Sequence, residues 1–306
     1  MSVHASPDAA PPARGDWAQA VSVASLAPLA AVFDGFILDQ WGVLHDGTQP
    51  YAGAAECLER LRAAGKRIVV LSNSGKRETD NLQLMQHMGF DIHLIDRFVS
   101  AGEDARNALQ FRVEPFHRGL GRRCYAFTRG GDRSLLEGIG LHFVETVQDA
   151  DFLAVIGNDS PQRGVDDYEI ELRAGISRAL PMVCANPDIA RFSPEGLIEA
   201  AGVLARRYEA LGGAVFYHGK PYPPIYSSCL AALGCAADKV LAIGDSVEHD
   251  VLGAARVGLR SALIPGGVHG PELKVAWGEL PLRENWLAFA SSAPAMPDYL
   301  LGAFNW

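Results

Sequence analysis

The sequence holds no CxxC pair, no surplus of basic residues and no apolar run long enough to cross a bilayer. The five cysteines, Cys57, Cys124, Cys184, Cys229 and Cys235, are odd in number and widely scattered. Neither a disulfide framework nor a paired-thiol metal site is expected, and they read as reduced, buried small residues. Acidic residues outnumber basic ones, 36 against 27, giving a formal net charge of −9. Such a field repels phosphate backbones, which argues against nucleic acid as a partner. It also means that a phosphorylated ligand must be held by a metal ion or by local donors. The apolar stretch from Ala20 to Phe33 is broken by Pro28 and follows no basic segment, so we expect no signal peptide, no membrane span and a cytoplasmic location. No repeat of fixed period is present, which sets aside solenoids and coiled coils.

What is present is ample apolar material. With 306 residues, 48% of them hydrophobic, the chain can bury one large core or two ordinary ones. Residues 1–18 are rich in Ala and Pro and lack periodicity, so we expect a loose tail. From Val32 onward, short apolar runs alternate with amphipathic segments, the pattern of strand-helix-strand units around a parallel sheet. Phe36 to Leu38 and Ile68 to Leu71 are the first two strands. Further strands are expected at Cys124 to Phe127, Phe152 to Ile156, Met182 to Ala185, Ala214 to Tyr217, Val240 to Ile243 and Ser261 to Ile264. Tyr51 to Ala64 reads as a helix stopped by Gly65, and a second helix is expected through Leu82, Met85 and Met88.

In an open parallel sheet, ligands gather at the carboxyl ends of the strands. Four polar groups follow apolar runs in this way: Asp39 in ILDQWGVL, Ser72 and Asn73 in VVLSNS, Lys220 in YHGKP, and Asp245 with Asp250 in AIGDSVEHD. Each alone is a weak signal, because any solvated polar residue can end a strand. Together they make chemical sense. A carboxylate can attack phosphorus and divide hydrolysis into two displacements. Asp39 and Asp245 would supply the hard oxygen ligands that Mg²⁺ prefers. Lys220 would add a point charge, and the Ser72 hydroxyl with the amides after it would hold phosphoryl oxygens at a helix start.

In this order the four groups resemble motifs one to four of the haloacid-dehalogenase (HAD) superfamily, over residues 32 to 270. The resemblance implies a Rossmann-like, doubly wound parallel sheet with an inserted, smaller α/β cap. It implies Asp39 as nucleophile and magnesium ligand, the backbone carbonyl of Trp41 and the carboxylate of Asp245 as further ligands, and Ser72 and Lys220 as phosphoryl binders. Asp250 resembles the second acidic residue of motif four, an outer partner of the metal. More than a hundred residues separate Ser72 from Lys220, and CANPD, Cys184 to Asp188, lies among them. That insertion is similar to the type-2 cap of subclass IIA, whose members include sugar, nucleotide and nitrophenyl phosphatases. The implied division is a core of residues 19–75 and 216–306 and a cap of residues 76–215, through which the family often dimerises.

One position departs from the pattern. Most phosphatases of the superfamily carry a second aspartate two residues after the nucleophile, which protonates the leaving group. Here that residue is Trp41, and indole is neither acid nor base near neutral pH. Three readings stay open: a phosphohydrolase in which His45 or a good leaving group makes up the loss; a protein that binds a phosphorylated ligand with little turnover; and a dehalogenase, which would leave Asp245 and Asp250 unexplained. A lone loop histidine such as His45 is usually only solvated. Asn186 and Asp188 are turn formers that suit a structural role in the cap better than substrate contact.

Overall fold

The structure, a computed structural model, describes residues 20–193 and 196–306. The tail expected at residues 1–18 lies outside the described residues. No helix among the described residues is long and apolar enough to cross a membrane.

The chain divides into two compact units. One holds the described residues up to Leu71, together with Leu84–Phe98 and Tyr226–Trp306; the other holds Ser72–Gln83 and Val99–Ile225. These bounds differ from the division expected at residues 76 and 215. Leu84–Phe98 belongs to the first unit because it leads into Arg97–Ser100, the edge strand of that unit's sheet. The second unit reaches past residue 215 because the backbone of Lys220 is hydrogen-bonded to Asn73 within it.

The first unit is built on a seven-stranded sheet in the order Val21–Val23, Tyr299–Leu301, Arg260–Leu263, Val240–Gly244, Gly35–Asp39, Arg67–Ser72, Arg97–Ser100. The five pairings from Val21–Val23 across to Arg67–Ser72 are all parallel. Gly35–Asp39 and Val240–Gly244 are buried along their whole length, which is why each reads as an unbroken apolar run. The strand order reverses at Gly35–Asp39: the chain moves outward to Arg67–Ser72 on one side, and Val240–Gly244 returns on the other. Ile243 pairs with Leu38, so this switch point brings the carboxyl ends of the two strands level, with Asp39 and Asp245 at the tips.

The second unit has its own sheet of five strands in the order Val215–Tyr217, Met182–Cys184, Phe152–Val155, Arg123–Phe127, His142–Phe143, all parallel. Alternation along its strands feeds two cores. Leu153, Val155, Met182 and Cys184 pack with Leu172, Leu204 and Tyr208, whereas Phe152, Ala154 and Val183 pack with Ala105, Leu109 and Leu136. A period of two with both faces covered makes this a doubly wound layer in its own right. An antiparallel hairpin, Ala190–Ser193 with Gly196–Glu199, follows the central strands in sequence. All eight strands expected from the sequence are present to within a residue or so at each end. Four cysteines are buried and Cys235 is half-buried, all as free thiols, and burial pushes those of Cys57, Cys124 and Cys184 up to about 12.

Candidate active site

Asp39 ends the central strand and accepts a hydrogen bond from the Gln40 N–H at 2.6 Å. The chain then folds back on itself. Leu44 N–H donates to the Gln40 carbonyl at 3.0 Å, Gly42 N–H to the His45 carbonyl at 3.1 Å, and Tyr51 N–H to the Leu44 carbonyl at 3.0 Å. Gly42 has φ +74°, and a Cβ there would lie 2.0 Å from Oδ2 of Asp245. Only glycine allows the loop to pass this close to the carboxylate.

Asp245 follows Gly244 and accepts from the Val268 N–H at 2.8 Å. Asp250 sits in a single π-helical turn, Val247–Val251, where its Oδ2 accepts from the Ser246 N–H at 3.1 Å. Oxygen atoms of Asp39, Asp245 and Asp250 all lie within 4.8 Å of one another. Asp39 and Asp250 are buried. At such a separation two carboxylates repel by roughly 3 kcal/mol at an effective dielectric near 20. Three hard oxygen donors held together against that repulsion fit a divalent cation such as Mg²⁺, and among the described residues no other group of His, Cys, Asp and Glu has this spacing.

Trp41 is 41% exposed. Its ring lies over Gly47, where a Cβ would come within 2.2 Å of the indole, and meets the His45 ring edge-on at 5.2 Å. His45 is fully buried, and its Nδ1 accepts from the Gly47 N–H at 2.9 Å. The neutral ring therefore carries its proton on Nε2, which has no hydrogen-bond partner. Burial lowers the His45 pKa to about 4, outweighing the attraction of Asp46. Its basic nitrogen is thus occupied and its other nitrogen is a donor only, which argues against His45 as the substitute proton shuttle.

The remaining motif residues lie in the second unit. Asn73 spends both amide atoms on the chain: its Oδ1 accepts from the Lys220 N–H at 2.6 Å, and its Nδ2 donates to the Lys220 carbonyl at 3.2 Å and to Oδ1 of Asp188 at 2.8 Å. Asn186 accepts from the Asp188 N–H at 3.1 Å, closing the turn that presents Asp188. Asn73 is therefore a clamp on the Lys220 backbone. Ser72 is buried and its hydroxyl accepts from the Ser74 N–H at 3.2 Å. The expected helix starts at Glu78 and ends at His87, before Met88. Ser72 consequently opens a serine turn instead of standing at a helix start. Sequence reading passed over Gly42 and the backbone N–H of Val268, both of which shape the Asp245 carboxylate. The first is visible as a glycine in motif one, but nothing in a sequence marks which amide will turn toward an acid.

Similarity to known proteins decides the family. Residues 36–142 match the haloacid dehalogenase-like hydrolase family, and residues 217–281 match a second, HAD-hydrolase-like family. A crystal structure of a haloacid dehalogenase-like hydrolase from Brucella suis 1330 is 32% identical, covers 92% of this chain and 99% of its own, and superposes with a TM-score of 0.76. The chain belongs to the haloacid dehalogenase-like hydrolases. Phospholysine phosphohistidine inorganic pyrophosphate phosphatase from Homo sapiens is 28% identical over 254 residues, 78% of this HAD-like chain and 88% of that protein. The p-nitrophenyl phosphatase from Archaeoglobus fulgidus shares the fold at 24% identity, with 89% of this chain and 97% of that one covered and a TM-score of 0.68. Together these matches bear out the subclass IIA resemblance of the four motifs.

Proposed function

We propose that the chain is a phosphohydrolase acting on a small phosphorylated metabolite, with Asp39 as nucleophile. The observation that carries this reading is the carboxylate cluster, two of its three members buried, at the switch point of the parallel sheet. Asp39 attacks phosphorus, the Asp39–phosphorus bond forms as the bond to the leaving group breaks, and water then hydrolyses the aspartyl phosphate. Asp39, Asp245 and the Trp41 carbonyl would hold Mg²⁺, with Asp250 behind them; the ion would offset the charge of the phosphoryl oxygens. Lys220 and Ser72 neutralise and hold the phosphoryl group, and Asn73, steadied by Asp188 and Asn186, fixes the backbone that carries Lys220. The names of the phosphatase relatives support this reaction class, while a dehalogenase would leave the acidic cluster without a role.

Trp41 and His45 offer no proton to the leaving group. The substrate is therefore one whose leaving group departs as a weak base, such as an aryl ester, an acyl phosphate or a phosphoanhydride. The phosphoanhydride named for the human relative is of this kind. The same absence favours a second reading, a binder of phosphorylated ligands with little turnover. A screen of phosphorylated metabolites with and without Mg²⁺, with phosphoenzyme trapping, separates the two: Mg²⁺-dependent release of phosphate through a trapped intermediate is expected, and tight binding without either would favour the binder.

A further inference from the structure

We propose that Trp41 determines specificity by receiving a flat, apolar ring of the leaving group, so that ring-bearing phosphate compounds are the preferred substrate class. The proposal rests on the phosphohydrolase reading of the same site.

Four observations carry it. First, Trp41 stands apart from the other apolar side chains of its turn: Val43 and Leu44 are 0% exposed, as are Gln40 and His45, yet Trp41, the largest, is 41% exposed. A tryptophan serving only to fill the core would be covered. Second, the ring is held on two sides. Gly47, at φ +98°, leaves no room for a Cβ beneath the indole, and the His45 ring stands edge-on to it, itself fixed by the Gly47 N–H. A surface fixed in advance loses little side-chain entropy when a ligand stacks on it. Third, Trp41 is two residues from Asp39 and directly precedes Gly42, which lies against Asp245. Fourth, Val268, whose N–H donates to Asp245, is itself 46% exposed, so a second exposed apolar residue is anchored at the cluster. Exposed apolar residues flanking the carboxylate cluster suit a ring better than a polyol, whose hydroxyls would face indole without partners.

The test compares 1-naphthyl phosphate, phenyl phosphate and the ringless acetyl phosphate on wild type, Trp41→Phe, Trp41→Leu and Trp41→Ala, each shown folded by circular dichroism. Comparing variants on the same substrates cancels the intrinsic acidity of each leaving group. Wild type should prefer naphthyl over phenyl in KM. Trp41→Ala and Trp41→Leu should lose about tenfold of the ratio of naphthyl to acetyl phosphate in kcat/KM, the size of one aromatic pair, with the loss in KM. Trp41→Phe should keep most of it. A readout free of turnover is quenching of tryptophan emission by 4-nitrobenzylphosphonate. Trp41→Phe should bind with near wild-type affinity but lose most of the quench. Phosphonate binding with a Trp41-dependent quench but no phosphate release would support the ring site and overturn the phosphohydrolase reading. Turnover with the naphthyl to acetyl ratio equal in wild type, Trp41→Leu and Trp41→Ala would overturn the ring site and leave the phosphohydrolase reading standing. Neither turnover nor binding would overturn both.

Discussion

Asparagine at position 39 would keep the shape of the side chain and an oxygen for the Gln40 N–H, but not the carboxylate proposed as nucleophile. Asp39→Asn is expected to lower turnover by at least about 10³-fold while the urea midpoint stays at or above the wild-type value; wild-type rates in the folded variant would remove Asp39 from the mechanism. Two other residues of this scale are sensitive to acid. His45 and His117 are both fully buried, and burial lowers each to about 4. For His117 the neighbouring His218, 3.1 Å away between Nε2 atoms, adds to the effect. A histidine pKa below its unfolded value near 6.5 means that the unfolded chain binds more protons than the native one between those two values. Stability is therefore full above pH ~6.5 and is lost as pH falls toward ~4, by on the order of 3 kcal/mol for each ring. Asp46, held to about 2 mainly by backbone and hydroxyl donors of Gln49 and Thr48, and Glu248, held to about 2 by His269, add their loss as pH falls below about 4.5 toward 2. Urea unfolding of wild type and His45→Asn between pH 7 and pH 4.5 measures this. A flat wild-type profile would contradict it, and the variant should show a shallower slope.

At the scale of elements, the central strands were legible because burial on both faces turns each into a continuous apolar run: Gly35–Asp39, Arg67–Ser72 and Val240–Gly244 announce themselves, and so do the acids and serine at their ends. Several short strands were not. Val21–Val23 and Tyr299–Leu301 pair with each other in parallel although they stand at opposite ends of the described chain, and His142–Phe143 has two residues, too few for any period to register. The helix after Ser72 was foreseen, but where it starts was not, because residues 72–75 suit a turn and a helix cap alike; they form a serine turn, and the helix begins at Glu78. Asn73 shows the larger limit. Its amide binds the backbone at Lys220, 147 residues away in sequence, and only the folded chain shows that the asparagine beside Ser72 serves as a clamp. Asn73→Ala strips three hydrogen bonds and leaves buried partners unsatisfied, so it should cost about 2–4 kcal/mol of stability and lower kcat/KM more than a surface substitution of equal destabilisation. Denaturant titration with parallel kinetics checks both, and full retention of each would show that Lys220 is positioned otherwise.

At the scale of the whole molecule, two sheets with separate cores raise the question of whether the chain unfolds in one step. Cooperative unfolding is the rule for single domains and commonly fails for chains with two cores. The sequence provides a means of telling them apart. None of the five tryptophans, Trp17, Trp41, Trp277, Trp286 and Trp306, falls within Ser72–Gln83 or Val99–Ile225, so tryptophan emission reports on the first unit, whereas far-ultraviolet circular dichroism reports on helices and strands of both. Leu153 is fully buried between Tyr208 and Leu172 in the second unit's core, and Leu153→Ala should destabilise that unit by about 2–5 kcal/mol. The expected result is a new early phase in the dichroism curve of the variant, with the tryptophan transition left at its wild-type midpoint. Should both signals shift together by the same amount, the two cores unfold as one cooperative block, and the destabilisation of one is shared by the site on the other.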